Sequence, residues 1–198
     1  MSDTNRGYAG EADRLAIQYE SVTFEAVHDA ILHLLPHGGR ALDIGAGSGR
    51  DAAALSRRGF SVVAVEPTAE LRAHGERLHV ERAIVWVDDG LPDLHRIRVR
   101  GETFDAVFLT AVWMHLDAGE QSRAMATLAA VTAPGGRVFM TLRHGPVPEG
   151  RRMFDVSGDE TVALAARHGL SLLQQSIRTD MFARPGVTWT GLALQAPG

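Results

Sequence analysis

Short runs of apolar residues alternate along this chain with longer stretches of helical periodicity. The short runs lack polar alternation, which is typical of strands buried on both faces of a sheet. Five such strands are predicted at residues 41–44, 62–66, 84–87, 104–109 and 137–142. Amphipathic helices between them are predicted at residues 50–58, 69–78 and 118–130. This order predicts an α/β fold in three layers, with a mostly parallel sheet and right-handed crossovers.

The amino-terminal part of the chain precedes the first strand. Apolar residues at helical spacing predict a helix over residues 23–35, which Pro36 and the glycines after it end. The polar residues before this helix are expected to be mobile until something docks on them. We therefore expect a single domain over residues 1–198, with 1–22 as a mobile segment or lid and 23–198 as the core.

The carboxyl-terminal part changes character. Ser157 and Glu160 have the spacing of a capping box and open a helix that runs to Ala166. Two further strands are predicted at residues 170–177 and 188–194. Such a final pair of strands departs from the standard dinucleotide-binding fold.

Composition limits what this chain can do. Of its 198 residues, 45% are hydrophobic and 22% are charged, which suits one globular domain with a true core. The net charge of −4 provides no basic field for nucleic acid or an anionic membrane. Cysteine is absent, which excludes disulfides, thiolate metal sites and cysteine nucleophiles. Because no apolar run reaches membrane-spanning length, we expect a cytoplasmic protein with no membrane partner and no metal in its site.

A glycine-rich turn follows the first predicted strand and opens the next helix. Residues 42–50 read LDIGAGSGR, and glycines let a ligand approach the backbone at a helix amino terminus. A dinucleotide fingerprint would need a third glycine or alanine at position 50, where Arg50 stands instead. Asp43 would also repel a pyrophosphate. The turn therefore favours a ligand with an amino group, and it opposes an NAD-dependent oxidoreductase.

Acidic residues follow three successive predicted strands. Asp43 lies in the first strand, Glu66 ends the second, and the pair Asp88 and Asp89 follows the third. A carboxylate at the tip of the second strand can accept both hydroxyls of a ribose. A carboxylate after the third strand could accept the exocyclic amine of an adenine. Together these acids suit an amino acid, a ribose and an adenine in a row.

These features together resemble the class I S-adenosylmethionine-dependent methyltransferases. The family motif hhDhGxGxG corresponds to residues 41–49, and segments 104–110 and 134–137 also match the family. The resemblance covers about residues 20–195. It implies a seven-stranded, mostly parallel sheet with an antiparallel last strand. It also implies S-adenosyl-L-methionine as the cofactor and S-adenosyl-L-homocysteine as its product.

The resemblance further implies which residues bind the cofactor. It favours Asp89 over Asp88 for the adenine, and Tyr19 as a tyrosine that closes over the cofactor, whereas Arg14 is more readily explained as solvated. The expected cofactor-binding residues are Tyr19, Asp43, Gly45, Ala46, Gly47, Ser48, Gly49, Glu66, Pro67, Asp88, Asp89, Gly90 and Thr110. The structural alternatives are an ordinary tight turn for the glycines, a solvated strand-end acid for Glu66 and helix initiation for Pro67.

Candidate substrate residues follow the fourth strand. In the family, this segment faces the methyl group that is transferred, which indicates Trp113, Met114 and His115. His115 is the general-base candidate, because imidazole titrates near neutral pH. The alternatives are a core position for Trp113 and a buried, hydrogen-bonded histidine.

Further candidates follow the fifth strand, again at the ligand-binding edge of the sheet. The expected substrate contacts there are Arg143, His144 and Arg152. The two arginines could hold an anionic substrate by bidentate pairing, and the alternative is a solvated basic loop. Trp189, on the last strand, is expected in the core.

The acceptor is less well specified than the cofactor. The tetrad of DNA amino-methyltransferases does not follow strand four, and without cysteine the covalent route to cytosine C5 and thiolate-based arsenite methylation are impossible. Residues 113–116 resemble the tellurite- and thiopurine-methyltransferase branch. We therefore expect methyl transfer to N, O or S of a small-molecule metabolite by a monomer or homodimer, without a nucleic-acid partner. The alternatives are a catalytically silent cofactor-binding module, or a methyltransferase that acts on RNA or protein.

Overall fold

A seven-stranded sheet forms the centre of the computed structural model, which describes residues 7–198. The strands are β1 (Gly39–Ile44), β2 (Phe60–Val65), β3 (Ile84–Val87), β4 (Phe104–Thr110), β5 (Thr132–His144), β6 (Ser171–Thr179) and β7 (Thr188–Gln195). They lie in the order β3-β2-β1-β4-β5-β7-β6. β7 is antiparallel to both β5 and β6, and the pairs among β1 to β5 are parallel. The expected sheet and all seven of its predicted strands are confirmed.

Helices cover both faces of this sheet. They are α1 (Ala12–Glu20), α2 (Phe24–His28), α3 (Arg50–Arg57), α4 (Ala69–Leu78), α5 (His95–Val99), α6 (Ala118–Val131) and α7 (Gly158–Arg167). The three helices predicted between the central strands are confirmed as α3, α4 and α6. The helix predicted over 23–35 is interrupted, because α2 passes into a 3₁₀ turn at Asp29–Leu34. The short helix α5 was not predicted.

Side-chain hydrogen bonds explain where several helices begin. The Thr23 hydroxyl accepts the Ala26 N–H at the start of α2. Asp117 and Glu120 form a reciprocal capping box at the start of α6. Ser157 accepts the Glu160 N–H at the start of α7, as the sequence predicted.

The two faces of the sheet pack into separate apolar clusters. Successive residues of a strand point to opposite faces, so that Val107 of β4 joins one cluster and Phe108 the other. The first cluster includes apolar residues of α5, α6 and α7, and the second includes residues of α2 and α3. This arrangement confirms the three layers.

The strand order reverses between β1 and β4. From β1 the chain continues outward to β2 and β3, and it then returns to β4 on the other side of β1. In open parallel sheets such a point leaves a crevice at the carboxyl ends of the strands, where ligands bind. The glycine turn at 45–49 follows β1 at this position.

The amino-terminal segment packs beside α4. Ala12 and Leu15 of α1 form a small buried cluster with Leu71 of α4. Residues 8–20 are thus largely helical where a mobile segment was expected, while the first six residues lie outside the described part of the chain. That α1 opens as a lid stays a prediction. Among residues 7–198, no helix has both the length and the apolar character needed to cross a membrane.

Candidate functional site

A cavity of about 580 Å³ lies at the carboxyl ends of the strands. Its wall combines the glycine turn, the ends of β2, β4 and β5, and residues of α1 and of the loops before β7. The volume falls in the range of small-molecule sites. The cavity brings together most of the residues that the sequence indicated. The predicted residues that line it are Tyr19, Asp43, Gly45, Ala46, Gly47, Ser48, Glu66, Pro67, Gly90, Thr110, Met114, His115 and Arg143.

The glycine turn is held in place by Glu66. The two carboxylate oxygens of Glu66 accept the backbone N–H of Gly47 at 2.8 Å and of Thr68 at 2.7 Å. Gly47 has φ +57°, and a Cβ there would lie 3.1 Å from the ring of Tyr19. Burial raises the pKa of Glu66 even though these hydrogen bonds favour its ionised form. Glu66 therefore positions the turn as well as lining the cavity.

Asp43 is a buried carboxyl group on the cavity wall. Its side chain is 1% exposed, and its Oδ2 has no hydrogen-bond partner among the described residues. Burial raises its pKa well above the usual range, and the neighbouring charge of Asp51 adds to this effect. An unpartnered buried acceptor is costly, so a ligand that donates a hydrogen bond here would be favoured.

Asp51 also lines the cavity and has its own partners. Its carboxylate accepts hydrogen bonds from Arg50 Nε at 2.7 Å and from the Thr110 hydroxyl at 2.6 Å, and His28 Nε2 lies 2.9 Å away. Despite burial, the charges of Arg50 and His28 and these hydrogen bonds hold the pKa of Asp51 far below its usual range. In this pair, the surroundings therefore favour the ionised form of Asp51 and disfavour that of Asp43.

His115 is buried beside the cavity with both ring nitrogens engaged. Its Nδ1 lies 2.7 Å from the carbonyl oxygen of Arg152, which can only accept, so Nδ1 carries the proton. The Tyr8 hydroxyl then donates to His115 Nε2 at 2.9 Å. Burial, followed by the nearby charges of Arg151 and Arg152, lowers the pKa of His115. Burial also raises the pKa of Tyr8 to about 12. The pair is therefore neutral, with Tyr8 on the cavity wall.

Six predicted site residues do not line the cavity, and each has another place in the structure. They are Gly49, Asp88, Asp89, Trp113, His144 and Arg152.

The acids after β3 differ most from expectation. Asp89 accepts the backbone N–H groups of Gly90, Arg96 and Ile97, so its carboxylate holds the start of α5, and its contact with an adenine stays a prediction. Asp88 is half exposed and lies 3.6 Å from Arg72. In this region the cavity is lined instead by Gly90 and Leu91.

The remaining residues are explained by packing and strand alternation. Gly49 begins α3 at φ +88°, where a Cβ would lie 2.8 Å from Trp86. Trp113 is fully buried in the larger apolar cluster. His144 points to the opposite face of β5 from Arg143, because successive residues of a strand alternate between faces. There its Nε2 forms a hydrogen bond with the Thr190 hydroxyl at 2.8 Å.

Arg152 has a structural role. It donates to the His115 carbonyl at 2.7 Å and pairs with Glu120 at 2.8 Å and Asp117 at 3.1 Å. These contacts tie the loop after β5 to the start of α6. The substrate role predicted for Arg152 is not supported by this position, whereas its neighbour Arg151 lines the cavity.

Several cavity residues were not predicted from the sequence as site residues. They are far apart in the chain and converge only in the fold, as the amino-terminal Tyr8 and the β6-end residues show. The polar residues among them include Tyr8, Glu11, Arg50, Asp51, Glu149, Arg151, Arg178, Asp180 and Arg184. Trp189, expected in the core, is 8% exposed and also lines the cavity.

Comparison with known proteins places this chain in a family. Residues 42–140, half of the chain, match the model of the methyltransferase domain family. An uncharacterized methyltransferase of Mycobacterium tuberculosis is 36% identical over 112 residues, which are 56% of this chain and 42% of that protein. The matched region thus spans less than half the length of this curated relative. The chain belongs to the methyltransferase domain family, and within it to the class I S-adenosylmethionine-dependent methyltransferases.

Solved structures show the same fold at low sequence identity. The magnesium protoporphyrin IX methyltransferase of Synechocystis with bound S-adenosylhomocysteine has a TM-score of 0.74 and 14% identity, over 98% of this chain and all of that one. The 1,6-didemethyltoxoflavin-N1-methyltransferase of Burkholderia thailandensis has a TM-score of 0.68 and 20% identity, over 94% and 89% of the two chains. Both are similar in fold to this protein.

The residues present fit the cofactor of this family, S-adenosyl-L-methionine. The unpartnered Oδ2 of Asp43 suits the ammonium group of an amino acid. Gly45, which also lines the cavity, has φ +69°, and a Cβ there would lie 2.5 Å from the Val112 side chain, so this position of the turn requires glycine. Glu66 retains acceptor capacity for hydroxyl groups on the same wall, because each carboxylate oxygen has two lone pairs.

Proposed function

We propose that this protein transfers a methyl group from S-adenosyl-L-methionine to an N, O or S atom of a small-molecule metabolite. The observation that carries the proposal is a single cavity with two chemically different ends. One end has the glycine turn with Asp43 and Glu66, and the other has His115 and Arg143. A cavity of about 580 Å³ suits the cofactor together with a small acceptor.

The cofactor is proposed to lie along the ends of β1 and β2. When bound, S-adenosyl-L-methionine supplies an activated methyl group, so the protein mainly has to align the acceptor and exclude water. Asp43 would accept the ammonium group and Glu66 the ribose hydroxyls. Tyr19 lies against Gly47 and would close this end from solvent.

The acceptor is proposed to lie between Met114, His115 and Arg143. Where the acceptor atom carries a proton, the Tyr8 oxygen would take that proton while the Tyr8 hydroxyl proton passes to His115 Nε2. The Arg152 carbonyl fixes the imidazole in the tautomer that can receive it. Tyr8 would thus touch the acceptor, and His115 would act through Tyr8.

A small acceptor is supported by two further observations, and the proposed site of action is the cytoplasm. The net charge of −4 gives no general attraction to RNA. The Burkholderia thailandensis methyltransferase with this fold was solved with 1,6-didemethyltoxoflavin bound. The proposal includes a monomer or a homodimer as the active form.

Binding of the cofactor is the first experiment that tests the proposal. Calorimetric titration with S-adenosyl-L-methionine and S-adenosyl-L-homocysteine should show micromolar binding of both. Methyl-labelled cofactor should then label the small-molecule fraction of a bacterial extract and leave RNA and protein fractions unlabelled. Absence of binding would contradict the cofactor assignment, and label confined to macromolecules would contradict the small acceptor.

A further inference from the structure

Three residues form a row across the last three strands of the sheet. Arg143 of β5 pairs with Trp189 of β7, and Trp189 pairs with Arg178 of β6. Residues directly opposite each other on neighbouring strands point to the same face of a sheet. All three line the cavity, and the Arg178 guanidinium lies 5.2 Å from the indole centroid. The row therefore presents two guanidinium groups on either side of one aromatic ring.

The two outer arginines have no acidic partner within ion-pair distance in residues 7–198. Their recorded hydrogen bonds are long contacts with backbone carbonyls, at 3.4 Å from Arg143 to Gly145 and 3.3 Å from Arg178 to Thr179. Arg143 is only 9% exposed, and its Nε has no hydrogen-bond partner in the described chain. A buried guanidinium without a counter-ion is unfavourable, which makes this position a strong site for an anion.

Other cavity arginines are neutralised by carboxylates. Arg184 forms a bidentate pair with Asp180 at 2.6 and 3.0 Å, and Asp180 also accepts the indole N–H of Trp189 at 2.9 Å. Arg151 pairs with Glu11. Burial together with the charge of Arg184 lowers the pKa of Arg143, so positive charges crowd this end of the cavity. Among residues 7–198, Arg143 and Arg178 are thus the cavity arginines without an ion pair, and the charge of Asp180 acts on both from beyond ion-pair distance.

Apolar side chains complete this end of the cavity. Trp189 packs with Met114 and Val187, and Met153 packs against the same cluster. A thioether and an indole provide adaptable apolar surfaces for a flat ring. This part of the wall thus combines a flat apolar surface with two guanidinium groups that form no ion pair within the described chain.

We propose that the methyl acceptor is an organic acid with a flat ring, and that its anionic group binds Arg143 and Arg178 astride Trp189. This inference deepens the proposed function and rests on it. It places the anionic group of the acceptor on the β5–β7–β6 side and its reacting atom toward Tyr8 and His115. Bidentate pairing with guanidinium suits a carboxylate or a phosphate.

The test compares matched ligands on the protein saturated with S-adenosyl-L-homocysteine. The probes are 4-hydroxybenzoate, 4-hydroxyphenyl phosphate and the neutral 4-hydroxybenzamide, titrated by calorimetry at low salt. We expect at least one of the two anions to bind about tenfold more tightly than the amide, as a charge-assisted hydrogen bond in a buried site predicts. The two anionic probes distinguish a carboxylate from a phosphate.

Variants locate the binding group. Arg143→Met and Arg178→Met should each lose about tenfold in affinity for the preferred anion and leave the amide unchanged, whereas Arg143→Lys should keep part of the preference. Arg123→Met, at an exposed residue of α6, is the matched control. Arg178 is partly exposed, so its variant remains informative if an Arg143 variant fails to fold.

Either of two results would overturn the inference: an amide that binds as tightly as both anions, or an anion preference that survives in both methionine variants. Titration with S-adenosyl-L-homocysteine alone separates this failure from failure of the proposed function. Binding of S-adenosyl-L-homocysteine without an anion preference would contradict this inference and leave the proposed function standing. No binding of S-adenosyl-L-homocysteine would contradict the proposed function itself.

Discussion

At the residue scale, Asp43 connects the protonation state of the cavity with cofactor binding. Its pKa is raised, so in the free protein this carboxyl group keeps its proton to a higher pH than an ordinary aspartate does. An ammonium ligand favours the ionised form. Affinity for S-adenosyl-L-homocysteine should therefore rise with pH through the raised pKa of Asp43, with proton release on binding. Calorimetry in buffers of different ionisation enthalpy measures that release, and binding without proton exchange at any acidic pH would contradict it.

The variant Asp43→Asn tests the same group without a change of pH. It removes a buried carboxyl group that ionises only at a cost, so the melting temperature of the free protein should stay level or rise by a few degrees. The thermal shift caused by S-adenosyl-L-homocysteine should disappear. Asp93→Asn makes the same chemical change at a side chain that is 65% exposed, and it should retain the shift. A full thermal shift in the Asp43→Asn protein would contradict the proposed contact between Asp43 and the cofactor.

His115 allows a direct measurement at the same scale. Burial and the surrounding arginines lower its pKa, so the imidazole should titrate below 6.5 and be neutral at pH 7. Proton NMR of the histidine C2–H signals, with His115→Asn to assign the resonance, measures this value. Because the fold disfavours the protonated form of His115, its contribution to the free energy of unfolding is present above the pKa of an unfolded histidine. That contribution is lost as the pH falls through the lowered pKa of His115. A value at or above 6.5 would contradict the neutral Tyr8–His115 pair.

The sequence predicted the residues whose position is marked by a strand end. Asp43 and Glu66 could be found because a buried strand followed by a turn places them at the ligand edge of the sheet. The hydrogen bonds of Asp89 could not be predicted in the same way. Its carboxylate accepts backbone N–H groups of α5, a short helix that the periodicity did not reveal. Arg178 was missed because only strand pairing brings it beside Trp189.

At the element scale, α1 connects the amino-terminal segment to the glycine turn. Glu20 at its end accepts the Ser48 hydroxyl at 2.7 Å, and the Tyr19 ring lies against Gly47. Because side-chain contacts hold α1 in place and the hydrogen bonds of the sheet do not, we expect α1 to open locally more easily than the sheet unfolds. A ligand that touches Tyr19 should therefore hold the helix closed.

Limited proteolysis measures this opening. Arg14 lies in α1 with its side chain 61% exposed, and trypsin should cleave after it in the free protein. Saturation with S-adenosyl-L-homocysteine should slow that cleavage about tenfold, as stabilisation by about 1.4 kcal/mol implies. Arg123 of α6, 57% exposed, is the internal control whose cleavage should not depend on the ligand. Equal protection at both sites would indicate global stabilisation without a lid.

The start of α7 followed a capping group in the sequence, whereas the helix predicted over 23–35 is interrupted and α5 was not predicted. Ser157 and Glu160 fixed the start of α7 correctly. The helix predicted over 23–35 ends at His28, and the backbone continues from Asp29 as a 3₁₀ turn. No side-chain capping hydrogen bond marks the start of that turn. α5 spans only five residues and is held by Asp89 and by contacts of Ile97, so it carries too few residues for a periodic signal.

At the scale of the whole molecule, the residues that stabilise the core and the residues that line the cavity lie in different parts of the sheet. Phe108 is fully buried on the face of the second cluster, with its ring 4.8 Å from that of Phe139. The cavity lies at the strand ends and does not include Phe108. A loss of packing at Phe108 should thus lower the free energy of unfolding with little effect on the geometry of the glycine turn.

Phe108→Ala should reduce the free energy of unfolding by about 3–5 kcal/mol, the usual cost of removing a large buried ring. Urea denaturation measures the loss, and Ile177→Ala, at a side chain 76% exposed on β6, should stay within about 0.5 kcal/mol of the unchanged protein. At a temperature where the Phe108→Ala protein is still folded, its affinity for S-adenosyl-L-homocysteine should remain within about threefold of the unchanged protein, since a distant core cavity alters few contacts at the strand ends. Loss of binding in a folded Phe108→Ala protein would show that the cavity and the helical layer behind β4 are coupled, and the site would then depend on the packing of the whole sheet.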